Sequence, residues 1–310
     1  MGNQVRTTIL LAVMTALILW IGQILGGRQG MIIALLLAAA MNFFSYWYSD
    51  KIVLKMYRAQ EVDPSQVPEL YEIVQSLCRS AGLPMPKLFV VPSETPNAFA
   101  TGRNPEHAVV AVTQGLLKIM NRDEVSGVLA HELAHVKNHD ILIGSIAATM
   151  AGAIMVLASM ARWTAIFGGG ARSDDEGGGG GAIGLIAMSI LAPLAAMIIQ
   201  MAISRSREYL ADSSGSRFAG SSEGLARALE KLGRYSKKLP MHANPSTAHM
   251  FTVNPLSGRS LMSLFSTHPP LEERIARLRN APTRTGPASK SGEQDRQAEA
   301  RELWDRLSQK

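Results

Sequence analysis

Four stretches of this sequence carry almost no charge, and they dictate its layout before any motif is read. Ile9 to Leu25, Met31 to Tyr48, Ile141 to Ala161 and Ala182 to Ser204 each approach or exceed the roughly 20 apolar residues that cross a hydrocarbon core. Phe43, Phe44, Tyr46, Trp47 and Tyr48 close the second stretch as an aromatic belt suited to a membrane interface. The first stretch is long for a signal-peptide core, lacks a clear small-x-small cleavage site and is followed at once by more apolar sequence, so it reads as a retained anchor. The third and fourth would also suit a buried hairpin in a large soluble core, but uncharged runs of this length favour the membrane.

Lysine and arginine near the spans give the orientation. Arg6 precedes the first span, Lys51, Lys55 and Arg58 follow the second, and Arg205 and Arg207 follow the fourth. The connection Gly26 to Gly30 holds only Arg28, and the Gly-rich connection Gly168 to Gly181 sets Arg172 against Asp174, Asp175 and Glu176. Both termini and the segment between the second and third spans are therefore expected in the cytoplasm. The single cysteine, Cys78, excludes an internal disulfide and fits a reducing compartment. A net charge of +6 fits positive-inside placement, and with no basic stripe interleaved with aromatics, nucleic acid is not an expected partner.

Between the second and third spans lies His131-Glu132-Leu133-Ala134-His135. Two histidines four apart on a helix share a face, so both imidazoles reach one metal ion. Glu132 sits about 100° further round, placed to act on a water at an open coordination position. Asn121 with Glu124 three later reads as a capping box opening this helix, and Val125, Val128 and Leu129 give it an apolar face. The helix is predicted to run through His135 to Asp140 and straight into the third span, which leaves His135 six residues before the membrane. His139, one turn past His135, would face the same way, but three successive turns cannot all converge on one ion.

Upstream, Pro64 to Pro68 leads into a helix whose apolar positions are Leu70, Ile73, Val74 and Leu77, ending at Gly82. Lys87 to Val91 is predicted as a short strand, Asn97 to Gly102 as an extended piece, Asn104-Pro105 as a turn and Ala108 to Val112 as another strand. An edge strand here is either plain scaffold or a place for an extended peptide to pair.

A catalytic zinc needs a third protein ligand, and no histidine stands six beyond His135, where Ile141 is found. Glu208 and Asp212, four apart just after the fourth span, offer a carboxylate pair on one helix face. By spacing, either serves as ligand with the other accepting an N–H from a ligand histidine, or both are a solvated acidic pair balancing Arg205 and Arg207.

Four motifs in order, Pro96 to Gly102, His131 to Asn138, Ser204 to Asp212 and Thr267-His268-Pro269-Pro270, make the chain resemble the gluzincin membrane peptidases, which include bacterial heat-shock membrane metalloproteases and the CAAX prenyl proteases. The resemblance covers roughly residues 1 to 280. It implies one Zn2+ per chain held by His131, His135 and Glu208, with Glu132 as catalytic base; Asp212, one turn further from the span and with a shorter side chain, is then expected to stand behind them. It further implies His268 as stabiliser of the tetrahedral oxyanion, and Asn97, Ala98 and Phe99 in the substrate-pairing strand. On sequence alone His268 is equally well a rigid turn before two prolines. The expected fold is mostly α: four transmembrane helices plus a cytoplasmic α+β zincin-like protease domain with a small antiparallel sheet.

The expected division is residues 1–50 (two transmembrane helices), 51–140 (first protease part), 141–204 (transmembrane hairpin), 205–281 (second protease part) and 282–310 (linker and polar tail). Within the second part, Leu225, Ala228, Leu229 and Leu232 mark an amphipathic helix and Leu271 to Leu278 a last one, while His242 and His249 are loop histidines. The implied activity is a zinc endopeptidase of the inner membrane that degrades misfolded or damaged membrane proteins under stress, with the bilayer and other quality-control proteases as further partners. A prenyl-protein protease would carry more spans. A scaffold with a structural metal would normally show four protein ligands.

Overall fold

The computed structural model of the chain describes residues 3–151, 205–238, 252 and 269–280. Residues 152–161 of the third predicted span, the fourth span, the Gly-rich connection, His242, His249, His268 and the tail lie outside the described residues.

Helix α1 (Asn3–Met56) runs without interruption through both predicted N-terminal spans. It is not straight. The Asn42 side-chain amide donates to Thr15 Oγ1 at 2.9 Å. On a straight helix 27 residues would separate the two by about 40 Å, so the run doubles back on itself. Gly27, at φ +54 near the midpoint, supplies the left-handed residue where it turns. The predicted connection Gly26 to Gly30 is thus a tight bend within a helical run. Gly27–Met56 is long and apolar enough to cross a membrane.

Four strands follow: β1 (Gln60–Glu61), β2 (Lys87–Val91), β3 (Ala98–Thr101) and β4 (Val109–Thr113), in spatial order β1-β2-β4-β3. The sheet is mixed, which corrects the antiparallel expectation. β2 and β4 pair in parallel, Leu88 beside Val110, while β3 is antiparallel to β4 and β1 to β2. After β2 the chain crosses to the far edge, forms β3 there, and returns through the turn at Asn104 to His107 into the gap between them. Filling the gap from that side makes β4 run with β2. It also leaves β3 at the edge.

Alternation along the strands sorts side chains to two covered faces. Leu88, Ala98, Val110 and Val112 join one core with Leu70, Ile73, Val74 and Leu77 of α2 (Pro68–Ala81) and with Val125, Val128, Leu129 and Leu133 of α4 (Arg122–Lys137). Val91, Phe99, Val109 and Ala111 face the other way, against Val53 and Leu54 of α1 and Ala148 of α5 (Ile141–Ala151). All five β4 residues are buried as a result. The sheet is therefore clamped between the helix carrying the histidines and the apolar helices α1 and α5. Leu10 and Met14 of α1 pack on Ile143, Ile146 and Met150 of α5 in the same way.

Helix α3 (Gln114–Ile119) leads into α4, which opens with the predicted capping box, Asn121 Oδ1 accepting from Glu124 N–H and Glu124 Oε2 from Asn121 N–H. Two helices cross α4 at close range. Gly127 lets α7 (Glu223–Lys238) approach, since a Cβ there would stand 2.3 Å from Leu225 N. Gly215 does the same for α6 (Arg205–Ala219) at the level of His131. Helix α8 (Leu271–Asn280) packs against α7 and α6.

Candidate metal centre

Helix α4 presents His131 and His135 one turn apart, as the spacing dictates, with His131 buried. Their Nε2 atoms converge to 3.2 Å. Helix α6, brought against the His131 backbone by Gly215, carries Glu208 to the same point. Its Oε1 lies 3.5 Å from His135 Nε2 and its Oε2 3.7 Å from His131 Nε2. Ligands about 2.1 Å from a tetrahedral zinc stand about 3.4 Å apart, so two nitrogens and a carboxylate at these separations fit that ion. Among the described residues this trio is the one metal-competent cluster.

The outward-facing ring nitrogens meet carboxylates. Asp140 Oδ2 is 3.0 Å from His135 Nδ1. Asp212 Oδ1 is 2.9 Å from His131 Nδ1, close but off the line of a well-aligned N–H bond. This is the carboxylate–histidine pattern that fixes a ring so that Nε2 faces the metal.

Asp140 reaches His135 because α4 does not continue into the third span, contrary to expectation. It ends at Lys137, and His139 adopts φ +57, a left-handed position tolerated by few side chains. That turn closes through Asp140 N–H donating to the His135 carbonyl at 2.9 Å, and α5 starts afresh at Ile141. His139 therefore does not stack above His135, and Asp140 takes the position beside it. Arg207 adds an ion pair to Asp140 at 3.7 Å.

Glu132 is buried, and Ala100 of β3 donates its backbone N–H to Oε2 at 3.1 Å. Burial pushes its carboxyl above the usual carboxylate range, which the neighbouring imidazoles and the Ala100 N–H only partly offset. Burial works against a proton on His135, yet the hydrogen bond to Asp140 and the charges of Glu208, Glu132 and Asp140 outweigh it and raise its pKa to about 9. The field that favours a proton there also favours a divalent cation. Burial likewise opposes ionisation of Asp212, but Arg274 and His131 hold its carboxyl below the ordinary value.

Structure brings Glu132, His131, His135, Glu208 and Asp212 together. The residues expected in the substrate-pairing strand divide. The Asn97 side-chain oxygen accepts the Thr252 N–H at 3.2 Å, and Phe99 points to the opposite face of the sheet, its ring 5.3 Å from Tyr57. Ala98 and Ala100 use β3's outer edge: the Ala98 carbonyl accepts from Thr252 Oγ1 and Ala100 N–H holds Glu132. Sequence reasoning missed Asp140 and Arg274. Asp140 was visible only as a polar residue before an apolar run. Arg274 had a clearer signal: it occupies the fourth position of an apolar stripe formed by Leu271, Ile275 and Leu278.

Comparison with known proteins matches residues 64–281 to peptidase family M48. The chain is 68% identical over 314 residues to a protein named "Protease HtpX homolog" from Desulforapulum autotrophicum, covering 99% of this chain and all of that one. It is 55% identical over 280 residues to a protein of the same name from Thermococcus sibiricus, covering 90% and 96%. Among solved structures, the crystal structure of S. mikatae Ste24p aligns with 89% of this chain and 65% of its own, at 21% identity and a TM-score of 0.47.

Proposed function

The chain belongs to peptidase family M48, and from that premise we propose that it is an integral-membrane zinc endopeptidase acting at the cytoplasmic face on misfolded or damaged membrane proteins. The observation that carries this reading is the convergence of His131, His135 and Glu208, with Glu132 buried beside them. Three protein donors suit a catalytic ion, since structural zinc is normally four-coordinate.

A bound zinc supplies Lewis acidity and lowers the pKa of a water to about 7. The chain's own residues do the rest. His131 and His135 present Nε2 while Asp212 and Asp140 fix their rings. Glu132 takes the proton from the attacking water and delivers it to the leaving amine, a transfer for which a raised carboxyl pKa is an advantage. The outer edge of β3 receives an extended substrate through the Ala98 N–H and the Ala100 carbonyl, since the Ala98 carbonyl and the Ala100 N–H bond Thr252 and Glu132. His268 stabilises the oxyanion from the segment just before α8.

Membrane placement is supported by Gly27–Met56, a helix long and apolar enough to cross a bilayer. In this reading the site stands beside the bilayer and outside it, where unfolded loops of membrane proteins are available. Four spans, cytoplasmic termini and a role alongside other quality-control proteases belong to the same proposal.

The test uses the purified full chain in detergent. One zinc per chain, with cleavage of an unfolded membrane protein abolished by a chelator and restored by zinc, is the expected result. Cleavage indifferent to chelation would overturn the reading.

A further inference from the structure

We propose that Arg274 is a positioning residue for the metal centre: it fixes the two carboxylates of α6 and ties them to the edge strand β3. Its side chain is among the largest fully buried ones, at 1% exposure. Nε and one terminal nitrogen donate to the two oxygens of Asp212 at 2.9 and 2.7 Å, a bidentate fork. The other terminal nitrogen donates to the Thr252 carbonyl at 3.0 Å and lies 3.6 Å from Glu208 Oε2.

Thr252 carries the connection onward. Its N–H reaches Asn97 Oδ1 and its hydroxyl reaches the Ala98 carbonyl. One guanidinium thus links the supporter of His131, the candidate ligand Glu208 and the strand that holds Glu132 through Ala100. Helix α8 drives it inward, because Leu271, Ile275 and Leu278 pack on the core and Arg274 shares their face.

Stability does not account for an arginine at this place. Apolar replacements of buried ion pairs are often neutral or stabilising, whereas removing one partner leaves the other charge stranded. Orientation does account for it. Asp212 held by a fork cannot swing away from His131 Nδ1, and the adjacent cation confines Glu208. A lysine keeps the charge but not the fork.

The experiment measures zinc affinity by chelator competition on the full-length protein, with melting of the zinc-free form recorded in parallel. The inference rests on the metal-site reading, and wild-type protein that takes up no zinc would overturn that reading itself. Arg274→Gln is expected to lose roughly 10- to 100-fold in zinc affinity, Arg274→Lys to lose less, and Asp212→Asn to add little in the Arg274→Gln background. If Arg274→Gln does not fold, Arg274→Lys alone decides. Wild-type zinc uptake matched by the Arg274 variants, whether or not their melting falls, overturns the role of Arg274 and leaves the metal site standing.

Discussion

The Ala100 backbone N–H donates to Glu132 Oε2 at 3.1 Å, so the edge strand and the carboxylate read as the base share one bond. Ala100 spends this donor away from β4, and a proline there costs no ladder bond. A hydrogen bond to a charged group contributes about 1.5–3 kcal/mol. Ala100→Pro is expected to lower kcat/KM by roughly 10- to 100-fold with zinc content unchanged. Steady-state kinetics beside metal analysis checks this, and an undiminished rate would separate the strand from the chemistry.

Gly215 is where α6 meets α4. A Cβ at this position would stand 2.8 Å from His131 N, a backbone atom that cannot yield without moving the ligand. Gly215→Ala is expected to cost about 1–3 kcal/mol and to release zinc. Gly144→Ala, with no atom within 4 Å of the added carbon, is the control and should retain it. Thermal melting and metal content read both.

The carboxylates should rank by their place in the site. Glu208→Gln replaces one of the two carboxylate oxygens that face the Nε2 atoms of His131 and His135 and should purify largely without zinc. Asp212→Asn and Asp140→Asn act through Nδ1 of one histidine each and should lose roughly 10- to 100-fold in affinity while retaining some activity. Greater metal loss in Asp212→Asn than in Glu208→Gln would make Asp212 the ligand.

Much of this site was readable in the chain because helical spacing alone puts His131 and His135 on one face, and the Asn121–Glu124 cap places the start of their helix. The apolar periods of α2 and α7 translate directly into buried faces. What escaped were features set by non-local geometry. No local pattern reveals that β4 inserts between β2 and β3, because strand order depends on where the chain returns. No propensity forces His139 left-handed. That turn follows from closing α4 and restarting at Ile141, and it is what brings Asp140 to His135. Arg274 escaped because a charged residue on an apolar stripe looks like an exception until its three acceptors are in view.

Topology is tested by thiol labelling. Gly178→Cys is expected to react with an impermeant reagent added to intact spheroplasts. Cys78 is a poor internal control, since it is buried and its thiol is pushed up to about 11. The exposed Ser65, replaced by Cys, serves instead and should react only after lysis. Labelling of Ser65→Cys in intact spheroplasts, with Gly178→Cys protected, would invert the orientation.

The most direct measurement compares zinc content and peptide cleavage in Glu132→Gln. Glu132 lies beside the trio of metal-facing donors and not within it. The variant should hold one zinc per chain at wild-type affinity while cleavage falls to background. Loss of the metal would make Glu132 a ligand, and undiminished cleavage with zinc in place would remove it from the chemistry altogether.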